Sequence, residues 1–206
     1  MSSELLLLHR QRFPSMVTYL GLLPRGLDSY PNCQVKASLL HSLKTDLPLD
    51  SLVESLPSAL QEIVTQPPPV SSWIPEVYFR ALLRASFDSF FRDRRKYVAW
   101  GYEAQRRVLS SPLYRPLFMV MSTERGFRLA SSRWENFHKG VSLTVHMGER
   151  GGRIVFEFPA HLLTLFDLEV TMCGIRVAIE LIGARDVQVS ELAENATSMS
   201  GLVTWR

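Results

Sequence analysis

Five histidines, His9, His41, His138, His146 and His161, are the side chains best suited to acid–base or metal chemistry, and none stands at an H-x-x-x-H spacing. A metal site would have to assemble from separate elements, so none is expected and the histidines read as structural or solvated. His138 is the one to watch. It shares a segment with Trp134 and Phe137, expected to be a short helix over 127–138, close to a later hairpin. An imidazole between aromatic walls can orient the polar head of a ligand; a histidine ending a helix also suits the negative pole of the dipole. The carboxylates Glu135, Glu157, Asp167, Glu169 and Glu180 are scattered, and no G-x-S-x-G elbow, P-loop or dinucleotide glycine pattern occurs. Gly148, Gly151 and Gly152 fall in a strand-to-strand turn, the wrong context for cradling phosphate. No catalytic residue is assigned. An enzyme using His138 as acid or base ranks behind the non-enzymatic readings.

Aromatic and methionine side chains offer a second kind of site. Tyr114, Phe118, Trp134, Phe137, Phe156, Phe158 and Met172 supply what an apolar pocket needs, and equally what a core needs. Together with His138 they form the candidate ligand-binding set, with an apolar small molecule, lipid or acyl chain as the expected occupant and the cofactor unknown. Cys33 and Cys173 are far apart in sequence, and Cys173 lies in an apolar stretch, so both read as reduced structural thiols.

The elements that must position these residues differ between the two ends of the chain. Met16 to Leu23 is a short apolar run that could add an edge strand. Gln34 to Leu47 carries apolar residues at helical spacing, and Asp50 to Val64 continues so, broken in two at Pro57. Ser72 is a plausible cap for a helix with Pro75 in its first turn. That helix places Phe79, Leu82, Leu83, Phe87, Phe90 and Phe91 on one face and the pair Arg84 and Asp88 on the other. In the next helix Gly101 permits close approach by a neighbour. Alternation then replaces helical spacing: Leu143, Val145 and Met147 oppose Ile154, Phe156 and Phe158 across a glycine-rich turn, a β-hairpin. Leu162 to Ile182 is helical with two apolar seams, one through Leu163, Phe166, Val170, Cys173 and Val177, the other through Leu165, Leu168, Met172, Ile175, Ile179 and Ile182. A helix with two seams is covered twice, by the sheet and by other helices, a ligand or another subunit. Two further strands follow Gly183.

The expected fold class is α+β: an N-terminal helical part packed with a C-terminal, mostly antiparallel sheet of about four strands and one long buried helix. The 206 residues are expected to form a flexible leader over 1–15 and a single domain over 16–206. A net charge of +3 is too small to imply nucleic acid, although Arg92 to Lys96 with Arg106 and Arg107 could form a basic ridge on two neighbouring helices. The apolar run Leu5 to Leu8 is too short for a signal peptide, and no segment is long enough to span a bilayer, so a cytoplasmic protein is expected.

Four stretches carry a family resemblance: GLLPRG at 21–26, WIPEVYFRALLRASFDS at 73–89, IGARDVQVSE at 182–191 and GLVTW at 201–205. Over residues 16–206 the chain resembles an uncharacterised domain family restricted largely to myxobacteria, which has no assigned activity. More distantly, helices followed by a hairpin, a long helix and a strand pair is similar to the superfamily of vinyl-reductase-like, haem-nitric-oxide-binding-like and vesicle-tethering domains. That resemblance implies a domain that holds a small molecule, haem or acyl chain, or builds complexes. Its zinc-bearing members use a cysteine cluster and its haem-binding members a Tyr-x-Ser-x-Arg motif; neither is found in this sequence. The resulting expectation is a non-enzymatic, dimeric binding or sensory domain. A ligand-free adaptor for a protein partner is the alternative, which solvent exposure of Leu165, Met172 and Ile179 would favour.

Overall fold

The computed structural model describes residues 11–110, 122, 125–126 and 134–206, in two compact units. The N-terminal unit runs to Arg94 and takes in Phe137–Lys139; the C-terminal unit is the remainder.

In the N-terminal unit, α1 spans Pro14–Leu22. The strand expected at Met16 to Leu23 is therefore a helix, with Pro14 in the first turn and Met16 and Tyr19 buried on one side. Its free amides at Ser15 and Met16 donate to the carboxylate of Asp88, at 2.9 and 3.3 Å, a cap supplied from far along the chain. Phe13, assigned to the leader, is wholly buried.

The helix expected over Gln34 to Leu47 begins instead with a strand, β1 (Gln34–Lys36), and only then becomes α2 (Ala37–Asp46). A 3₁₀ segment, Leu49–Ser55, and α3 (Ser58–Thr65) meet at Pro57, as the break there predicted. Trp73–Pro75 forms β2, and α4 (Glu76–Ser86) starts three residues later than a Ser72 cap would place it, with Pro75 as its N-cap. The third strand, β3, is His138–Lys139, so His138 ends no helix. These strands form an antiparallel sheet in the order β2-β1-β3, with Val35 opposite both Ile74 and His138. Pairing between distant segments here overrides local helical spacing.

Helix α4 is buried on every side. Arg84 and Asp88, expected as a pair on the face opposite the phenylalanines, are both buried, whereas Phe87, Phe90 and Phe91 are only half-buried. A widened π-type turn over Phe87–Phe91 closes on Arg92, whose φ is 53°.

In the C-terminal unit, α5 (Arg94–Leu109) precedes the hairpin of β4 (Ser142–Gly148) and β5 (Gly151–Glu157), then α6 (Leu165–Ile182), β6 (Gln188–Glu194) and β7 (Ser198–Thr204). The sheet is antiparallel in the order β4-β5-β7-β6, which bears out the expected α+β class with four strands and a long helix. A capping box between Thr164 and Asp167 starts α6, and Gly183, at φ 109°, stops it.

Both seams of α6 are covered within this unit. Met172 lies on Gly201 of β7, where a Cβ would come within 2.8 Å of its Cε. On the other side Val170 packs into the gap left by Gly101, and Phe166 stacks on Tyr97 at 4.8 Å. Cys173 Sγ lies 3.7 Å from the Val98 carbonyl oxygen. Gly101 permits the close approach expected of it.

Two glycines separate conformational from steric need. Gly151 has φ 151° and its missing Cβ would collide with the Val203 carbonyl oxygen, a backbone atom that cannot turn away; Gly183 opens onto free space. Gly151→Ala is expected to destabilise the fold by about 3 kcal/mol, and Gly183→Ala by about 1 kcal/mol, both read from urea unfolding.

Candidate functional site

Of the eight residues expected to bind a ligand, Tyr114 and Phe118 lie outside the described residues. The C-terminal unit holds four others. β5 turns Ile154 and Phe156 inward, Phe158 just past its end is buried too, and Trp134 stands edge-on to Phe156 with centroids 5.0 Å apart. The Trp134 indole N–H donates to the Val141 carbonyl at 3.0 Å, which fixes the ring. Gly201 pairs with Ile154 across the strands, so Met172, resting on Gly201, shares the face that carries Phe156. The result is a wall of two aromatic rings packed edge to face and continued by a methionine.

Phe137 and His138 belong to the N-terminal unit. Phe137 is half-buried and its carbonyl accepts the Lys36 N–H at 2.8 Å. His138, 6% exposed, places Nδ1 3.0 Å from Oε2 of Glu76. Glu76 is fully buried; its Oε1 accepts from Arg80, 2.7 Å to Nε and 2.5 Å to Nη2. Burial alone would raise this carboxyl. The charges of Arg80 and His138 and their hydrogen bonds outweigh it and hold the pKa at about 2.

The same helix carries the charge further. Arg84 donates to the Arg80 carbonyl at 3.1 Å and lies 3.9 Å over the Tyr19 ring, and Asp88 follows at the cap of α1. Glu76, Arg80, Arg84 and Asp88 recur every fourth residue, a continuous stripe of two acids and two bases. For Asp88, burial pushes the carboxyl up despite the amide hydrogen bonds from Ser15 and Met16. Cys33 abuts the stripe: its carbonyl accepts the Glu76 N–H at 2.9 Å, and burial, with the Glu76 charge, pushes its thiol up to about 11. Burial likewise raises the Cys173 thiol to about 11, so both thiols stay protonated at neutral pH.

From the sequence only the Arg84 and Asp88 pair of this stripe is picked out, opposite the apolar face. The signal available was Val77, Ala81 and Ala85 among the charges, which leave α4 no wholly polar side. Chemically, a carboxylate with a pKa near 2 is no proton donor at neutral pH, and its lone pairs are engaged. The arrangement orients His138 and compensates Arg80. The basic ridge also resolves differently from expectation: Arg94, Arg95 and Lys96 occupy the first turn of α5, and Arg106 and Arg107 its last, so these cations sit at opposite ends of one helix.

No family model and no curated protein matches this sequence. Solved structures do match in fold. A Cs H-NOX mutant carrying 4-cyano-L-phenylalanine is 12% identical, with a TM-score of 0.55 over 83% of this chain and 96% of that one. An oxygen-binding H-NOX domain related to soluble guanylate cyclases is 8% identical, with a TM-score of 0.55 over 82% and 92%. A mutant T. Tengcongensis H-NOX is 9% identical, with a TM-score of 0.51 over 95% and 97%. The fold is thus that of the haem-nitric-oxide-binding-like domains, the distant likeness expected from the order of elements.

The side chains do not follow the fold to haem. Of the four described histidines, His41 binds the Pro68 carbonyl at 2.8 Å, His138 binds Glu76, His146 is exposed on the hairpin, and His161 is half-buried, its backbone N–H donating to the Ala196 carbonyl. The stretch nearest to Tyr-x-Ser-x-Arg is Tyr102, Ala104 and Arg106 on α5, with alanine in place of serine. The Tyr102 hydroxyl donates to Glu180 at 2.5 Å, a bond that raises its pKa. Among the described residues no group of three His, Cys, Asp or Glu side chains could hold a metal. The Tyr-x-Ser-x-Arg motif is thus not reproduced on α5, where the phenol is held by Glu180.

Glu76→Gln is expected to cost about 3 kcal/mol at neutral pH, because it leaves Arg80 buried without its counter-charge. A folded pKa of about 2 against an ordinary 4.5 means that the unfolded chain takes up the proton first on acidification. The stabilisation is therefore complete above pH 4.5 and lost toward pH 2. Urea midpoints at pH 7 and pH 3 check this: the gap between wild type and variant shrinks at pH 3.

Proposed function

We propose that this chain is a non-enzymatic binding or sensory domain that holds an apolar small molecule or acyl chain against the aromatic wall of Trp134, Phe156, Phe158 and Met172. The observation that carries the reading is the fold: it matches, over about four-fifths of the chain, domains described as binding oxygen and haem. The wall supplies the complementary chemistry, apolar and aromatic. The other four residues of the expected set, Tyr114, Phe118, Phe137 and His138, are not required by this reading. His138 serves the buried pair with Glu76 and contributes little to ligand affinity.

A dimeric, cytoplasmic protein accords with the same proposal; no described helix is long and apolar enough to cross a membrane. Kinship with the myxobacterial family rests on the four quoted stretches. The adaptor alternative drew on exposure of Leu165, Met172 and Ile179; Leu165 is half-buried and Met172 and Ile179 are 1% and 2% exposed, which counts against it.

Native mass spectrometry of the protein as purified is expected to show a dimer with extra mass that is lost on denaturation. His138→Ala is expected to retain that mass, and Trp134→Ala to lose most of it. Bare protein, or loss in His138→Ala with Trp134→Ala unaffected, contradicts the proposal.

A further inference from the structure

The small sheet of the N-terminal unit has two unlike faces. Val35, Ile74 and His138 pair inward, while Lys36 pairs with Trp73, and Lys139 with Gln34, on the outer side. Two ammonium groups converge on one indole there: Lys36 Nζ lies 4.1 Å and Lys139 Nζ 4.2 Å from the Trp73 ring centroid. Their separation cannot exceed the sum of those distances, so two like charges are held together at the surface. Lys36 donates to the Ser71 carbonyl at 2.8 Å, and neither lysine takes part in an ion pair among the described residues. Arg80 is matched by Glu76 and Lys44 by Asp50, whereas the two lysines at Trp73 share one ring without a carboxylate between them among the described residues.

Cation–π contact restrains both side chains before anything binds, which lowers the entropy cost of engaging them. A carboxylate set between the two ammonium groups relieves their repulsion, and the half-buried Trp73 edge and Pro75 offer apolar contact beside it. We propose that this face docks an acidic segment of a partner protein, with aspartate or glutamate side chains meeting Lys36 and Lys139 and an apolar neighbour meeting Trp73. A peptide fits better than nucleic acid. The lysines already lie over the indole where a base would stack, and two cations make a short electrostatic footprint. β2 and β3 are the outer strands of this sheet, so an extended segment can also lie alongside its edge.

The test is fluorescence anisotropy of a labelled oligoglutamate peptide against the full chain at low salt. Saturable binding is expected, weakened about tenfold in K36Q/K139Q and lost on raising the salt. Circular dichroism checks the fold of the variant. If the double variant does not fold, K139Q alone, at an exposed position, is expected to weaken binding about threefold. Failure of the wild type to bind, undiminished binding by the folded variant, or tighter binding of an oligothymidylate of equal length overturns the proposal.

Discussion

A carboxylate withdrawn wholly from water sets the terms for the N-terminal unit. Glu76 sits where β2 turns into α4, so its burial commits both elements at once, and an ion this deep persists only if every lone pair is engaged. Arg80, one helical turn on, takes one oxygen, and His138 takes the other. The second bond is the consequential one, because His138 comes from a segment more than sixty residues downstream. Its two-residue strand has little backbone pairing of its own, only Gln34 and Val35 opposite it, and the imidazole–carboxylate contact supplements that pairing. Arg84 and Asp88 extend the compensation to α1, whose first turn is capped by Asp88.

The C-terminal unit is ordered by shape more than by charge. Its long helix has no solvated side among its two seams: β7 takes one through Gly201, and α5 takes the other through Gly101. Glycine at both contacts allows the backbones to approach until Met172 and Val170 fill the space. The aromatic wall of Trp134 and Phe156 stands on the sheet beneath the same helix, which gives an apolar ligand its place in the proposed function. The fold matches that of H-NOX domains, while His41, His138 and the Tyr102 phenol are engaged by Pro68, Glu76 and Glu180.

Legibility in the sequence divides along the same line. The hairpin, the long helix, its glycine stop and the final strands were readable because each is long enough to repeat its own period: Leu143 to Met147 alternate, and Leu165 to Ile182 keep two seams. The N-terminal unit hides its strands, since β1, β2 and β3 have two or three residues each and exist only through distant pairing. Asp88 as a cap for α1 has no local sign at all. The stripe of α4 was present as acids and bases four residues apart, a pattern equally at home on a solvated face; only the alanines and Val77 between them argued otherwise. Half of the candidate ligand set, Trp134, Phe156, Phe158 and Met172, falls within one unit, while His138, singled out for its aromatic neighbours in sequence, answers to a carboxylate instead.

The most direct measurement on the central claim is a double-mutant cycle of Glu76→Gln and His138→Asn by urea unfolding at pH 7. Dependence of the N-terminal unit on this pair predicts a coupling energy of about 1–3 kcal/mol, so that the double variant loses clearly less than the two single losses together. Losses that add to within about 0.3 kcal/mol would mean that Glu76 and His138 are buried independently, and that the contact between them does not hold β3 in place.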